Sequence, residues 1–445
     1  RLILATGAAP IRLDIPGSDL PGVFTLRNLD DTDRIKAAVD KGARRALVVG
    51  AGFIGLELVE NFVRRGLHTT LVELQDQVLP PLDKEMTQPI LAHLREHKVD
   101  VRLGDSTTAI APASGPAGGL TVTLKSGATV DADLVILGVG VRPENMLATA
   151  AGLEVGPRGG VRVNPYLQTS DPNIYAVGDV IETISYVTGN PMQVPLAGPA
   201  NRQGRIAADH IFGRDSRFRG AQGTAILRVF ELTAALTGET EKSLTRAGRP
   251  FLATYVHPTQ HASYYPGATP MTIKLLADPA TGRILGGQAV GREGVDSRMN
   301  VLAMAIHARM TVFDLEQAEL VYSPQFGSAK DAINMAGFVA ANVIRGDVPQ
   351  IHASELPALA SASVPPYLLD VREPGEFAAG AIPGAVNVPL DDLRLGIEDL
   401  PRDRLIIAYC HAGQRGYIAT RILAQLGFNV RNLAGGYKTY TMYAG

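Results

Sequence analysis

The chain has 445 residues, 46% of them apolar and 19% charged, with a net charge of -2. That composition supports two to four packed domains of about 100–200 residues each, and it offers no basic block for nucleic acid. No apolar run approaches the roughly 20 residues that span a bilayer. The single cysteine, Cys410, cannot form an internal disulfide, which suits a reducing cytoplasm.

The chain opens RLILATGAAP, without an initiator methionine or a signal-peptide pattern. Leu2–Leu4 is expected to be a strand running into a turn at Ala5, Thr6 and Gly7, so we expect a larger protein to begin upstream. Residues 45–75 follow as RALVVGAGFIGLELVENFVRRGLHTTLVELQ. A buried strand over 46–49 meets Gly50, Gly52 and Gly55 in a G-x-G-x-x-G turn. A helix is expected over 53–65 and a second strand over 69–74, with Glu73 near its end. This strand–turn–helix–strand context predicts a dinucleotide site. Gly50 allows the tight turn, Gly52 lets the backbone approach a pyrophosphate, and Gly55 lets the helix pack on the strand. The helix N-terminus offers free N–H groups to phosphate. The Glu73 carboxylate can accept from a ribose 2′-OH and would repel a 2′-phosphate, so NADH is expected, with NADPH as the alternative.

Two further glycine turns follow strands: DADLVILGVGVRP at 131–143, with Gly140, and TSDPNIYAVGDV at 169–180, with Gly178 and Asp179. An Asp in that setting can bond a polyol hydroxyl or simply cap the next segment. ATG, GAGFIG, GVGVRP and YAVGD occur in the order and spacing of the FAD-dependent pyridine nucleotide–disulfide oxidoreductases, which the chain resembles. The resemblance implies that Ala5, Thr6, Gly7, Gly140, Gly178 and Asp179 belong to a flavin domain split around the nucleotide domain. It also implies that the flavin's own glycine fingerprint and a redox cysteine lie upstream. Residues 1–40 and 131–220 would then be the flavin segments, 41–130 the NAD(P)H domain and 221–345 an α+β dimerisation domain of a homodimer.

Within 221–345, a strand pair is expected over 271–291 and a helix over 295–310. With VPLAGPANRQGR at 194–205, the stretches HASYYPGA at 261–268 and VYSPQFGSAKD at 321–331 resemble the coenzyme A-disulfide reductase branch. That resemblance implies Tyr264 and Tyr322 beside a disulfide substrate and Lys330 at the phosphates or pantetheine of coenzyme A. A phenol can donate to a departing thiolate and a lysine can pair with phosphate. The alternatives are an interface or turn role for the tyrosines and a surface ion pair of Lys330 with Asp331. Among the nine histidines, His257 and His261 have H-x-x-x-H spacing, but the prolines nearby place them in a loop, and no metal is expected.

A Pro-, Ser- and Ala-rich boundary at 345–366 includes a short helix expected over 354–360. Strands and helices then alternate, as in a small α/β domain with a mainly parallel sheet. The strand LIIAYC delivers Cys410 to the N-terminus of a helix. The amides of His411–Arg415, Gly413 among them, can face the sulfur, and with Arg415 they favour thiolate over thiol and would hold a persulfide. Only four residues separate Cys410 from Arg415, a tighter ring than the phosphate cradle of cysteine phosphatases. LLDVREPGEFAAGAIPGAVNVPL with CHAGQRG resembles a rhodanese domain over 352–445, with Asp370 and Arg372 expected at the substrate. Ala381 stands where that family often has His, and Gly416 where it often has Ser or Thr. The expected architecture is therefore α/β: Rossmann-like FAD- and NAD(P)-binding domains, the dimerisation domain and a rhodanese-like domain. The expected function is NAD(P)H-driven reduction of coenzyme A disulfide, coenzyme A persulfide or a small thiol's equivalent, coupled to a sulfur carrier. NADH oxidase or peroxidase chemistry, and non-redox sulfur carriage on a scaffold, are the alternatives.

Overall fold

The apolar run before Gly50 becomes the central strand, Arg45–Val49, of a five-stranded parallel sheet. The computed structural model describes residues 1–114 and 118–444. Residues 115–117 of the expected nucleotide domain and residue 445 of the expected rhodanese domain lie outside the described residues. The chain divides into two units, Arg1–Leu82 with Pro89–Leu232, and Asp83–Gln88 with Thr233–Gly445.

In the first unit the sheet order is Val23–Phe24, Leu134–Leu137, Arg45–Val49, His68–Glu73, Asp100–Leu103. The neighbours in this order pair in parallel, as crossover helices require. One crossover is the helix Phe53–Arg64, whose Leu56, Val59 and Phe62 are buried on a single face. A three-stranded antiparallel sheet, Thr107–Pro112, Leu120–Leu124 and Thr129–Ala132, packs its Ile110 and Val122 against Leu47, Val72 and Val135. Elsewhere in the unit, segments far apart in sequence pair. Leu2–Leu4 runs parallel to Ile174–Ala176, and Ala8–Pro10 runs antiparallel to Val141–Pro143. Leu4, Tyr175, Val177 and Ala207 share the core behind them.

In the second unit, Leu232–Gly238, Ile284–Gly291, Met271–Ala277 and Leu252–Val256 are antiparallel neighbours. The two middle strands are buried along their whole length. Among them lies Lys274, fully buried and ion-paired to Asp83 at 2.8 Å, Glu241 at 3.0 Å and Glu85. Burial opposes its charge, but Glu85, Asp83 and Glu241 outweigh burial and raise its pKa. The helix expected over 295–310 ends at His307. The boundary helix forms as a short 3-10 turn and Leu356–Ala360.

The C-terminal part of this unit is a five-stranded parallel sheet in the order Gln350–Ile351, Val430–Leu433, Ile406–Tyr409, Tyr367–Asp370, Val386–Asn387. Leu369, Ala408, Ala419 and Leu423 form its core together with Cys410. The sequence pattern did not anticipate a last helix, Gly436–Ala444. Its Thr439 bonds His257 Nε2 at 2.8 Å and its Tyr443 hydroxyl lies 2.9 Å from that of Tyr255, both on the antiparallel part of the unit.

Candidate functional site

A cavity of about 720 Å³ opens at the carboxyl ends of the parallel strands in the first unit, lined by Gly50, Gly52, Glu73, Gly140 and Asp179 among others. This is where α/β sheets place nucleotides. Gly50 has φ +103, and a Cβ there would lie 2.4 Å from the Gly138 carbonyl oxygen. A Cβ at Gly55 would lie 1.9 Å from the Gly50 oxygen, so no side chain fits between helix and turn. Gly52 faces open space and begins the helix without a side-chain cap. The first amides of that helix are thus offered to the cavity.

Glu73 is nearly buried. Its Oε2 accepts from the Ala51 N–H at 2.7 Å and its Oε1 from the Gln75 N–H at 2.9 Å. The carboxylate therefore shapes the glycine turn as well as lining the cavity. Asp179 accepts no hydrogen bond among the described residues, and burial pushes its carboxyl up. The preceding Gly178 N–H donates to Oε1 of buried Gln203 at 2.7 Å. Gln203 lies in the 194–205 stretch but was not singled out there, because its partner is a backbone amide that no spacing rule reveals. Thr6 donates to the Glu144 carbonyl at 2.6 Å, and the Glu144 N–H donates to the Gly7 carbonyl at 2.9 Å. Thr6 and Gly7, next to Ala5, thus join two distant segments, while Ala8 and Pro10 line the cavity. A pyrophosphate fits the open backbone at Gly52, and a polyol fits the unpaired Asp179 carboxylate.

In the second unit, Ile406–Tyr409 delivers Cys410 directly ahead of the helix Gln414–Gln425. The thiol is 2% exposed. Of the loop amides expected around it, the Gly413 N–H donates to Sγ, at 3.1 Å. Arg415 reaches the site by a route the sequence did not show. Its two terminal nitrogens donate to the two oxygens of Glu376 at 2.7 and 2.8 Å. Glu376, with a smaller contribution from Cys410, holds the guanidinium charged. In return the Arg415 bond holds the Glu376 carboxyl down at about 2. Burial, then the nearby Lys438 ammonium, pushes His411 down.

Asp370 and Arg372, expected at the substrate, are found paired with each other. Both are buried, and they bond each other at 2.6 Å, with Arg372 also donating to the Gly380 carbonyl at 2.7 Å. They are a scaffold pair, because a buried guanidinium and carboxylate need each other's charge. From behind, the Tyr437 and Lys438 amides donate to the Cys410 and His411 carbonyls at 2.8 and 2.9 Å. Gly436 permits this approach, since its Cβ would lie 2.4 Å from the Cys410 oxygen. At Gly416 a Cβ would lie 2.5 Å from Asn432 Oδ1, so the usual hydroxyl residue would require that side chain to move.

Tyr264 and Tyr322, far apart in sequence, come together with their hydroxyls 3.3 Å apart on an exposed surface. Lys330 is exposed, its ammonium 5.6 Å from the centre of the Phe338 ring. The Lys330–Asp331 pair is replaced by Asp331–Arg298 at 2.6 Å, because Asp331 turns inward to cap the helix Ala332–Ile344. His257 lies in a loop, bonded to Thr272 and Thr439, and burial lowers its pKa to about 3. A different set, His93, His97 and Glu231, does converge. The spacing H-x-x-x-H at 93–97 was its available signal. No described helix is long and apolar enough to cross a membrane.

A glycine turn of the dinucleotide-binding kind and the Asp179 carboxylate line one cavity, and a separate loop holds a thiol beside an arginine. Residues 1–200 match the pyridine nucleotide-disulphide oxidoreductase family, 224–332 its dimerisation domain and 352–442 the rhodanese-like domain. A coenzyme A disulfide reductase of Staphylococcus aureus is 38% identical over 344 residues, 76% of this chain and 75% of that protein. The crystal structure of reduced Bacillus anthracis CoADR-RHD superposes with a TM-score of 0.95 at 46% identity, covering 99% of this chain and 78% of that one. An NAD-dependent persulfide reductase from A. fulgidus gives 0.90 at 34%, covering 98% and 80%. The chain belongs to the pyridine nucleotide-disulphide oxidoreductase family and carries a rhodanese domain. As that family implies, it is an enzyme that uses FAD and a pyridine nucleotide.

Proposed function

We propose that the protein reduces coenzyme A disulfide or coenzyme A persulfide with NADH, as a homodimer in a reducing cytoplasm, and that its rhodanese domain feeds it sulfane sulfur. The observation that carries this reading is Cys410, held by the Gly413 amide beside the Glu376-anchored Arg415, in one chain with a dinucleotide cradle. When bound, FAD and the pyridine nucleotide supply hydride and electron transfer. The chain's own residues bind and orient these groups and supply protons. The Gly50–Gly55 turn binds the pyrophosphate, and Glu73 accepts from the ribose 2′-OH, which favours NADH. Asp179 holds the flavin's polyol. Overall, NADH, a proton and a disulfide become NAD⁺ and two thiols.

Tyr264 and Tyr322, with their hydroxyls 3.3 Å apart, offer a phenol proton to the departing thiolate, a role their pairing supports. Lys330 offers a phosphate partner from the same loop region. Their exposed surface, with Val321 and Phe326 beside them, suits a dimer interface. At Cys410 the thiolate attacks the outer sulfur of a persulfide donor. The donor's S–S bond breaks, its electron pair leaves as the donor thiolate, and Cys410 keeps the transferred sulfur as an anion. The Gly413 N–H and Arg415 stabilise that anion. Fusion raises the effective concentration of this sulfur at the reductase.

The holoenzyme should oxidise NADH faster than NADPH, and faster with coenzyme A disulfide or persulfide than with oxygen. Oxygen as the best acceptor would sink the reading. Glu73→Ala should narrow the NADH preference, and unchanged selectivity would count against the assigned ribose contact.

A further inference from the structure

The end of the helix Lys84–Glu96 carries His93 and, just beyond it, His97, one helical turn apart and so on one face. Each ring has its Nδ1 already engaged. His93 Nδ1 lies 2.9 Å from Glu96 Oε2, and His97 Nδ1 lies 3.0 Å from the His93 carbonyl oxygen. Both partners are pure acceptors, so each Nδ1 carries a proton. Nε2 is then the ring atom left for a cation, which at His93 would displace the proton that Nε2 shares with Glu231. The outer hydrogen bond at Nδ1 is how metal-ligating histidines are oriented.

Both Nε2 atoms point at one carboxylate oxygen, Glu231 Oε2, at 2.8 Å from His93 and 3.5 Å from His97. The donor atoms of the three residues lie within 4.8 Å of one another. In a tetrahedral zinc site with bonds of about 2.0–2.1 Å, neighbouring donor atoms are about 3.3 Å apart, so the two observed separations straddle the requirement. Three such groups facing each other call for a shared positive charge, a proton on His93 Nε2 or a cation in its place. Phe230 stacks on His97, ring centres 3.8 Å apart, and meets His93 edge-on at 6.0 Å, which fixes both ring planes. His93 is buried, His97 half-buried and Glu231 exposed, so the remaining side is open for a water.

We propose that His93, His97 and Glu231 bind one divalent cation of the zinc class, with Glu96 and the His93 carbonyl orienting the two imidazoles. Two nitrogens and a carboxylate suit Zn²⁺, Co²⁺ or Ni²⁺ rather than Mg²⁺ or Ca²⁺. The site pins the helix end to the turn at 230–231, apart from the redox and sulfur chemistry, and does not rest on either.

The test is calorimetric titration of the metal-stripped holoenzyme with Zn²⁺, alongside thermal unfolding. One ion per chain should bind and raise Tm, and Mg²⁺ should do neither. His97→Asn should abolish that binding and the Tm rise. Glu96→Gln, at an exposed position that does not threaten the fold, should weaken binding about 10–100-fold. Cys410→Ser should bind zinc as the parent does. No saturable binding in the parent would mean that the cluster is a hydrogen-bonded clamp only. Parent-like affinity in the His97 variant, or loss of zinc with Cys410→Ser instead, would equally overturn the site.

Discussion

The chain uses one local plan twice, a parallel strand, a glycine-bearing turn and a helix, at Val49–Phe53 and at Tyr409–Gln414. At the first, Gly52 leaves open space above the helix N-terminus, and the glycines are needed where backbone touches backbone. The turn is left uncovered for a ligand to complete. At the second, the strand ends in a thiol that fills the space itself, 2% exposed, with the Gly413 amide on its sulfur. The tail at Gly436–Lys438 closes the turn from behind. On the proposed function, the same helix-end electrostatics serve a dinucleotide in one place and a covalent sulfur anion in the other. What differs is whether the residue leaving the strand is a glycine or a cysteine, and what backs the loop.

That contrast can be broken one loop at a time. Cys410→Ser removes the nucleophile, so sulfur transfer from thiosulfate or a persulfide should fall below about 1% of the parent rate. NADH-driven disulfide reduction should stay mostly intact, and equal transfer rates in mutant and parent would refute the assignment. Gly55→Ala should do the converse. Its methyl group would meet the Gly50 oxygen at 1.9 Å, an overpacking cost of about 1–3 kcal/mol. Nucleotide affinity should drop about 5–150-fold by that cost, read as the KM for NADH, while sulfur transfer by the same protein persists.

The smallest effect sharpens the sulfur loop. Glu376→Gln releases Arg415, and sulfur transfer should fall by up to about fivefold, the scale of a partly exposed ion pair. Arg415 holds the Glu376 carboxyl at about 2 against an ordinary 4.5. The folded value is the lower one, so the pair's contribution to stability is complete above about pH 4.5. It is lost as pH falls from there towards 2. Acid unfolding of the parent should therefore show a pH dependence in that window which the variant lacks.

Much of the site was legible because it is local. The G-x-G-x-x-G turn, the acid ending the next strand and the cysteine before a helix are each written within some 30 residues of chain. Their periodicity and glycine sterics act over that range. Even there, the pairing of Asp370 with Arg372 was not legible, because a strand-end position does not say which face a side chain takes or that the two are buried together. Glu376 was passed over because its meaning depends on Arg415, and the last helix because it begins at Gly436, directly after Gly435, where two glycines disfavour a helix start.

The sequence by itself determined the two strand–turn–helix loops, the order of domain types and the chemistry each loop can support. The reason is that backbone sterics and side-chain periodicity are short-range. Only the tertiary structure decided that Glu376 anchors Arg415, that Tyr264 meets Tyr322, that Thr439 docks on His257 and that Glu231 closes on His93 and His97. Each of those contacts joins residues whose separation along the chain carries no local signal. They form only when packed cores bring the segments together.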